Sequence, residues 1–158
     1  MTDDPFQNGL NYAYKLLSYR ARSVREVETR LSQKGYSRST IREVVDRLKD
    51  LDYLDDPEFA RAWVGERIKN RPMGRLRLRY ELRSKGIDDA LIKATIGQLF
   101  QPEDEYRLAK QLAKKRLKGL GQPAPNKRKK STHDYLARRG FSYEVISSVL
   151  REISGESQ

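Results

Sequence analysis

A short pattern returns three times along the chain and constrains everything between its copies. It reads Leu31-Ser32-Gln33-Lys34-Gly35-Tyr36-Ser37, then Leu82-Arg83-Ser84-Lys85-Gly86-Ile87-Asp88, then Leu136-Ala137-Arg138-Arg139-Gly140-Phe141-Ser142. In each copy an isoleucine follows four residues after the last position, as Ile41, Ile92 and Ile146. Glycine takes the left-handed conformation that ends a helix without steric cost. The apolar residue after it packs back on the leucine. The cation before it sits at the negative end of the helix dipole. Ser37, Asp88 and Ser142 are preferred N-caps for a new helix, and the isoleucine meets the residue before the cap as a hydrophobic staple. The pattern predicts three tight helix–turn–helix corners. Their glycines lie 51 and 54 residues apart, a period that suits stacked helical units. The corner itself is read as a spacer with no contacts of its own beyond its two helices.

Apolar residues at helical spacing extend the corners. Ala13, Leu16 and Leu17 mark a first helix over about Asn8 to Tyr19. Ser23 and Glu26 form a capping box ahead of Val24, Val27 and Leu31. Ile41, Val44, Val45, Leu48 and Leu51 carry the third helix. Pro57 after an aspartate cap starts a fourth, with Phe59, Ala62 and Trp63 on its buried face. Ile92, Ile96 and Leu99 repeat Ile41, Val45 and Leu48. Arg75 to Leu82 alternates apolar and charged residues like a strand, but Leu78 and Leu82 align with Val27 and Leu31, so a helix is predicted there too. Tyr106, Ala109, Ala113 and Leu117 mark a seventh helix. Gly119 to Asn126 is rich in breakers, which predicts a long loop before a short helix over about 131–138. Val145, Ile146, Val149, Leu150 and Ile153 close the last helix. The expected fold is all-α: three tandem three-helix repeats, 8–52, 53–101 and 102–154, forming an elongated, curved array. The third repeat carries a basic Pro/Gly-containing loop at 119–130.

Composition narrows the chemistry. There is no cysteine among the 158 residues, so no disulfide or thiolate nucleophile is available. His133 is the lone histidine and has no serine partner placed for it, which makes it an ordinary polar residue. Asp52, Asp55, Asp56 and Glu58 lack the spacing of a calcium loop and read as a helix start. No glycine pattern makes a phosphate-binding loop. The chain is expected not to be an enzyme and to need no cofactor or metal. No apolar run approaches a membrane span, and Met1-Thr2-Asp3-Asp4 does not open a signal peptide, so a cytoplasmic protein is expected.

The net charge of +11 points to a polyanionic partner. Residues 101–158 hold 13 basic against 7 acidic side chains, and between Lys110 and Arg139 eleven cations face only Asp134. Lys114, Lys115, Lys118, Lys127, Arg128, Lys129 and Lys130 are candidate contacts in that stretch. Arg20, Arg22 and Arg25, and then Arg71, Arg75, Arg77 and Arg79, surround the start of the second helix in the first two repeats and are further candidates. For these two groups a solvated helix face is an equal alternative. No Asn or Gln accompanies an arginine for base readout, so contacts to nucleic acid would go to phosphates.

Several of these motifs occur in order. Arg22-Ser23 leading to Lys34-Gly35-Tyr36, Tyr53-Leu54-Asp55-Asp56 followed by Phe59-Ala60, and Gly74 leading to Lys85-Gly86-Ile87 resemble the bacterial RecX family. The resemblance covers about residues 10–153. One departure is Asp52, where that family usually has glycine. The resemblance implies tandem three-helix repeats and a monomeric regulator of the RecA recombinase filament in DNA repair, homologous recombination and the SOS response. Such a regulator lies along the filament, meeting single-stranded DNA directly or through it, and inhibits its extension, ATPase, strand exchange and coprotease activity. Two other readings stand on charge alone: a sequence-independent DNA- or RNA-binding protein, and an adaptor for an acidic protein.

Overall fold

A computed structural model describes residues 4–121 and 124–156. The described residues form helices α1 (Pro5–Tyr19), α2 (Val24–Gln33), α3 (Arg38–Asp50), α4 (Asp56–Asn70), α5 (Arg75–Ser84), α6 (Asp89–Leu99), α7 (Pro102–Gly119), α8 (Pro125–Arg138) and α9 (Tyr143–Glu156), with no strand among them. The helices fall into three consecutive groups of three.

All three corners form as local chemistry predicts. Tyr36, Ile87 and Phe141 N–H groups donate to the Leu31, Leu82 and Leu136 carbonyls at 3.2, 3.1 and 3.2 Å. The glycine N–H groups donate three residues back at 3.0, 2.9 and 3.0 Å, and Gly35, Gly86 and Gly140 have φ of 93, 81 and 91°. This is the Schellman arrangement, which satisfies two orphan carbonyls at each helix end. Ser37 and Ser142 then accept from Thr40 and Val145 N–H as caps. The same arrangement ends α3 without glycine. Tyr53 N–H donates to the Leu48 carbonyl at 2.8 Å and Asp52 N–H to that of Lys49 at 3.0 Å, with Asp52 at φ 61°. Leu51 is the C-cap of this turn and is exposed.

By contacts the chain divides into two compact units, and the boundary runs through the middle repeat. One takes the chain as far as Ala62 together with 82–92; the other takes Trp63–Glu81 and everything from Lys93. In the first, α1 packs on α3 and α2 around Ala13, Val27, Leu31, Val44 and Leu48, all fully buried. In the second, α7, α8 and α9 close on Ala109, Ala113, Leu136, Phe141, Ile146 and Val149.

Three details of the sequence reading change, and the helix expected at 75–82 forms. The cap of α4 is Asp55, whose carboxylate accepts from Glu58 N–H at 3.0 Å, so Pro57 is the second helical residue. The buried residues of α4 are Phe59, Ala60 and Val64; Ala62 is exposed and Trp63 half-buried. In α6 Leu99 is exposed, while Thr95 and, just past the helix, Phe100 are buried. The segment 75–84 is helical throughout. Its strand-like alternation arises because Leu76 and Tyr80 are 50% and 69% exposed while Leu78 and Leu82 are fully buried.

The largest difference is the expected loop at 119–130. Gln122 and Pro123 lie outside the described residues, but α8 begins at Pro125, six residues earlier than the spacing suggests. Proline is suited to a first helical position, and Lys and Arg are good helix formers. Lys127, Arg128, Lys129 and Lys130 therefore stand on the first turns of a helix.

Candidate polyanion-binding surface

The arginine groups ahead of the first two corners sit where corners dock, so the corner is more than a spacer. In the first unit, the second corner lies on the first turn of α2. Ser23 Oγ donates to the Lys85 carbonyl at 2.6 Å while capping Glu26 N–H at 3.2 Å. Asp56 accepts from Val24 N–H at 2.9 Å. In the second unit, the third corner lies on the first turn of α5. Gly74 N–H donates to the Arg139 carbonyl at 2.8 Å and Leu76 N–H to that of Gly140 at 3.1 Å. Glu105, from the first turn of α7, accepts from Arg75 N–H at 2.7 Å. The two junctions use the same logic. A donor at a helix start, the Ser23 hydroxyl in the first junction and the Gly74 and Leu76 N–H groups in the second, meets carbonyls at a helix end, and a carboxylate takes a further N–H.

The junctions occupy part of the candidate cations. Arg20 Nη2 donates to Glu26 Oε2 at 2.6 Å, and Lys85 Nζ reaches the same oxygen at 3.4 Å. Burial pushes the Glu26 carboxyl up, but the Arg20 hydrogen bond, the Ser23 N–H and Lys85 outweigh it and hold it below its ordinary value. The Arg25 stem crosses Gly86, whose added Cβ would meet Arg25 Cβ at 2.4 Å. Arg77 crosses Gly140 in the same way, at 2.3 Å, and its Nε lies 3.6 Å from Glu81. Arg22 and Arg75 are half-buried, and the Nε of each is out of solvent without a hydrogen-bond partner. Burial, with Arg20 and Arg30 nearby, lowers the Arg22 pKa. Burial raises that of Glu105 despite the Arg75 N–H. Arg71 and Arg79 are exposed.

Arg20, Arg22 and Arg25 share a hollow of about 280 Å³ with Arg30 and Lys85. Sequence reasoning did not select Arg30 or Lys85 as site residues. The four-residue spacing of Glu26 and Arg30 on α2 was available as a signal for Arg30. Nothing local brings Lys85, which comes from the second corner.

The third repeat presents its cations differently. Lys114, Lys115 and Lys118 on α7 and Lys127, Lys129 and Lys130 on α8 are exposed. Lys127, Lys130 and Arg138 line one shallow hollow on α8 with Asp134. Lys110 pairs with Glu152 at 2.6 Å, and Arg116 lies over the Tyr135 ring at 5.1 Å. Arg128 is half-buried, its Nε also without a partner. His133 Nδ1 lies 3.6 Å from Asp134, and its ring meets Tyr143 edge-on. No group of carboxylates and histidines that could hold a metal occurs among the described residues, and none of their helices is long and apolar enough to cross a membrane.

Three family models match in order: the first three-helix domain of RecX over residues 10–48, the second over 55–96 and the third over 103–150. The chain belongs to the RecX family. The regulatory protein RecX of Bacillus subtilis is 40% identical over 154 residues, which cover 98% of this chain and 58% of that protein. The chain thus spans little more than half the length of such Bacillus relatives. The regulatory protein RecX of Pelodictyon phaeoclathratiforme is 33% identical, with 96% of this chain and 92% of that protein covered. The crystal structure of RecX from Lactobacillus salivarius superposes with a TM-score of 0.86 at 25% identity, covering 97% of this chain and 99% of that one. RecX relatives are therefore named as regulators, and the three-helix repeat is the fold they share with this chain.

Proposed function

We propose that the protein is a non-enzymatic, monomeric, cytoplasmic regulator that binds the RecA filament on single-stranded DNA. It restrains filament extension and lowers its ATPase, strand exchange and coprotease activity. Family membership across all three repeats carries this reading. The cations on α7 and α8, with Arg71, Arg77 and Arg79 on and ahead of α5, supply contacts suited to DNA phosphates or acidic filament surfaces. A regulator of this kind acts by binding one filament state more tightly and so shifting the population. The test is RecA ATPase on single-stranded DNA at sub-stoichiometric and stoichiometric protein. The rate is expected to fall with dose, and an unchanged rate and filament length at both ratios would refute the reading.

Four consecutive cations on α8 favour a second reading, sequence-independent binding of bare nucleic acid through phosphates. It requires tight binding to free single strands, with a salt slope of about −0.7 per phosphate neutralised. Weak binding to bare strands beside strong binding to the filament rejects it.

A further inference from the structure

We infer that the hollow lined by Arg22, Arg25, Arg30 and Lys85 is an oxyanion site that takes a phosphate group where the second corner meets α2. Its acidic component is already committed. Glu26 accepts from Arg20, from Lys85 and from the Ser23 N–H, which leaves it no open side for a ligand cation. Among the described residues, Arg22, Arg25 and Arg30 form no salt bridge. Four arginines and a lysine thus line one concavity with a single, satisfied carboxylate.

A flat cationic face is stabilised by water alone, but this surface is concave and partly closed to water. Arg22 Nε is shut off from solvent and has no acceptor, so part of this charged group is held out of water beside the hollow, which strengthens its attraction for an anion there. Burial, and then the positive charges of Arg20 and Arg30, lower the Arg22 pKa from its ordinary value. At about 280 Å³ the hollow falls just under the roughly 300–1,000 Å³ typical of small-molecule sites, which suits a phosphate group and not a whole nucleotide. Planar arginine forks match phosphate oxygens in pairs.

The site also has a mechanical consequence. Arg22, Arg25 and Arg30 belong to the first repeat and Lys85 to the corner of the second, so a bound phosphate ties the corner to α2. The second unit has no matching cluster: the positions of Glu26 and Arg30 are taken by Arg77 and Glu81, and Glu81 is engaged by Trp63 and Arg67 at 3.0 and 2.9 Å.

The inference does not rest on the recombinase reading, since it concerns the isolated chain. Calorimetric titration with inorganic pyrophosphate at fixed ionic strength should show one saturable site. Arg22→Gln and Arg30→Gln should each weaken it at least tenfold, and Lys93→Gln, at an exposed position of α6, should leave it unchanged. Arg30 is exposed, so its variant keeps the fold and serves even if Arg22→Gln does not. A short oligothymidylate that displaces pyrophosphate names a strand backbone as the source of the phosphate. One that does not names a free phosphate, and both results support the site. No saturable binding, or equal binding in wild type and Arg30→Gln, overturns it, as does an equal loss in Lys93→Gln.

Discussion

Gly35, Gly86 and Gly140 share one motif and one backbone conformation, yet they are not equivalent. An added Cβ at Gly35 meets nothing within 4 Å, whereas at Gly86 it strikes Arg25 and at Gly140 the Arg77 backbone N at 2.6 Å. Gly35→Ala should therefore carry only the cost of the left-handed conformation, about 1–2 kcal/mol. Gly86→Ala and Gly140→Ala should lose roughly 1–3 kcal/mol more from overpacking. Urea unfolding of the three variants checks the order, and equal losses would refute corner docking. Asp52 is the mirror case. Its φ of 61° asks for glycine, and the turn it makes brings Tyr53 edge-on to Tyr14 at 5.2 Å. Asp52→Gly should raise stability by about 1 kcal/mol, seen as a higher urea midpoint with an unchanged slope.

Helix starts in this fold depend on partners far along the chain. Glu105 is 5% exposed and accepts the first N–H of α5, and its raised pKa means the folded state holds its proton more tightly than the unfolded one. Its contribution to stability therefore falls as pH rises from the ordinary carboxylate value through the folded one. Glu105→Gln keeps an acceptor and removes this dependence. It should stay within about 1 kcal/mol of wild type at neutral pH and flatten the profile, while Glu105→Ala orphans the donor and should lose about 1–3 kcal/mol. Thermal unfolding between pH 4 and 8, roughly the range in which a shifted carboxyl titrates, separates the two. Glu26 works with the opposite sign. Its folded pKa is lowered, so its stabilisation is complete above the ordinary value and disappears as pH falls through the folded one. The exposed Leu76 and Tyr80 on α5 should tolerate glutamate within about 0.5 kcal/mol, which a melting curve would check.

For the molecule as a polyelectrolyte, the concentration of charge in the third repeat matters most. Reversing Lys127, Arg128, Lys129 and Lys130 to glutamate should weaken association with the filament or with single strands and flatten its salt dependence. The helix should persist, because acidic residues suit the positive end of the α8 dipole better than the cations do. Circular dichroism together with binding at several salt concentrations checks both halves. Unchanged association would show α8 to be only a solvated face.

The sequence by itself determined the three corners and the caps at Ser23, Ser37 and Ser142, because a Schellman turn or a cap is settled within about six residues. Its errors fell where local signals compete. Breakers and good helix formers overlap at 119–130, and buried phases shift by one residue in α4 and α6. Tertiary structure alone decided what the corners touch. The bonds that dock them join residues 62, 65 and 64 positions apart: Ser23 to Lys85, Gly74 to Arg139 and Leu76 to Gly140. Gly74 aligns with Ser23, but only the approach of the Gly140 carbonyl, 2.3 Å from an added Cβ, explains why a glycine stands there. The hollow at α2 is the same kind of fact. Arg25 and Arg30 stand on α2 and Arg22 just ahead of it, and Lys85 joins them only because one corner needs a donor for its carbonyl and one helix start needs acceptors.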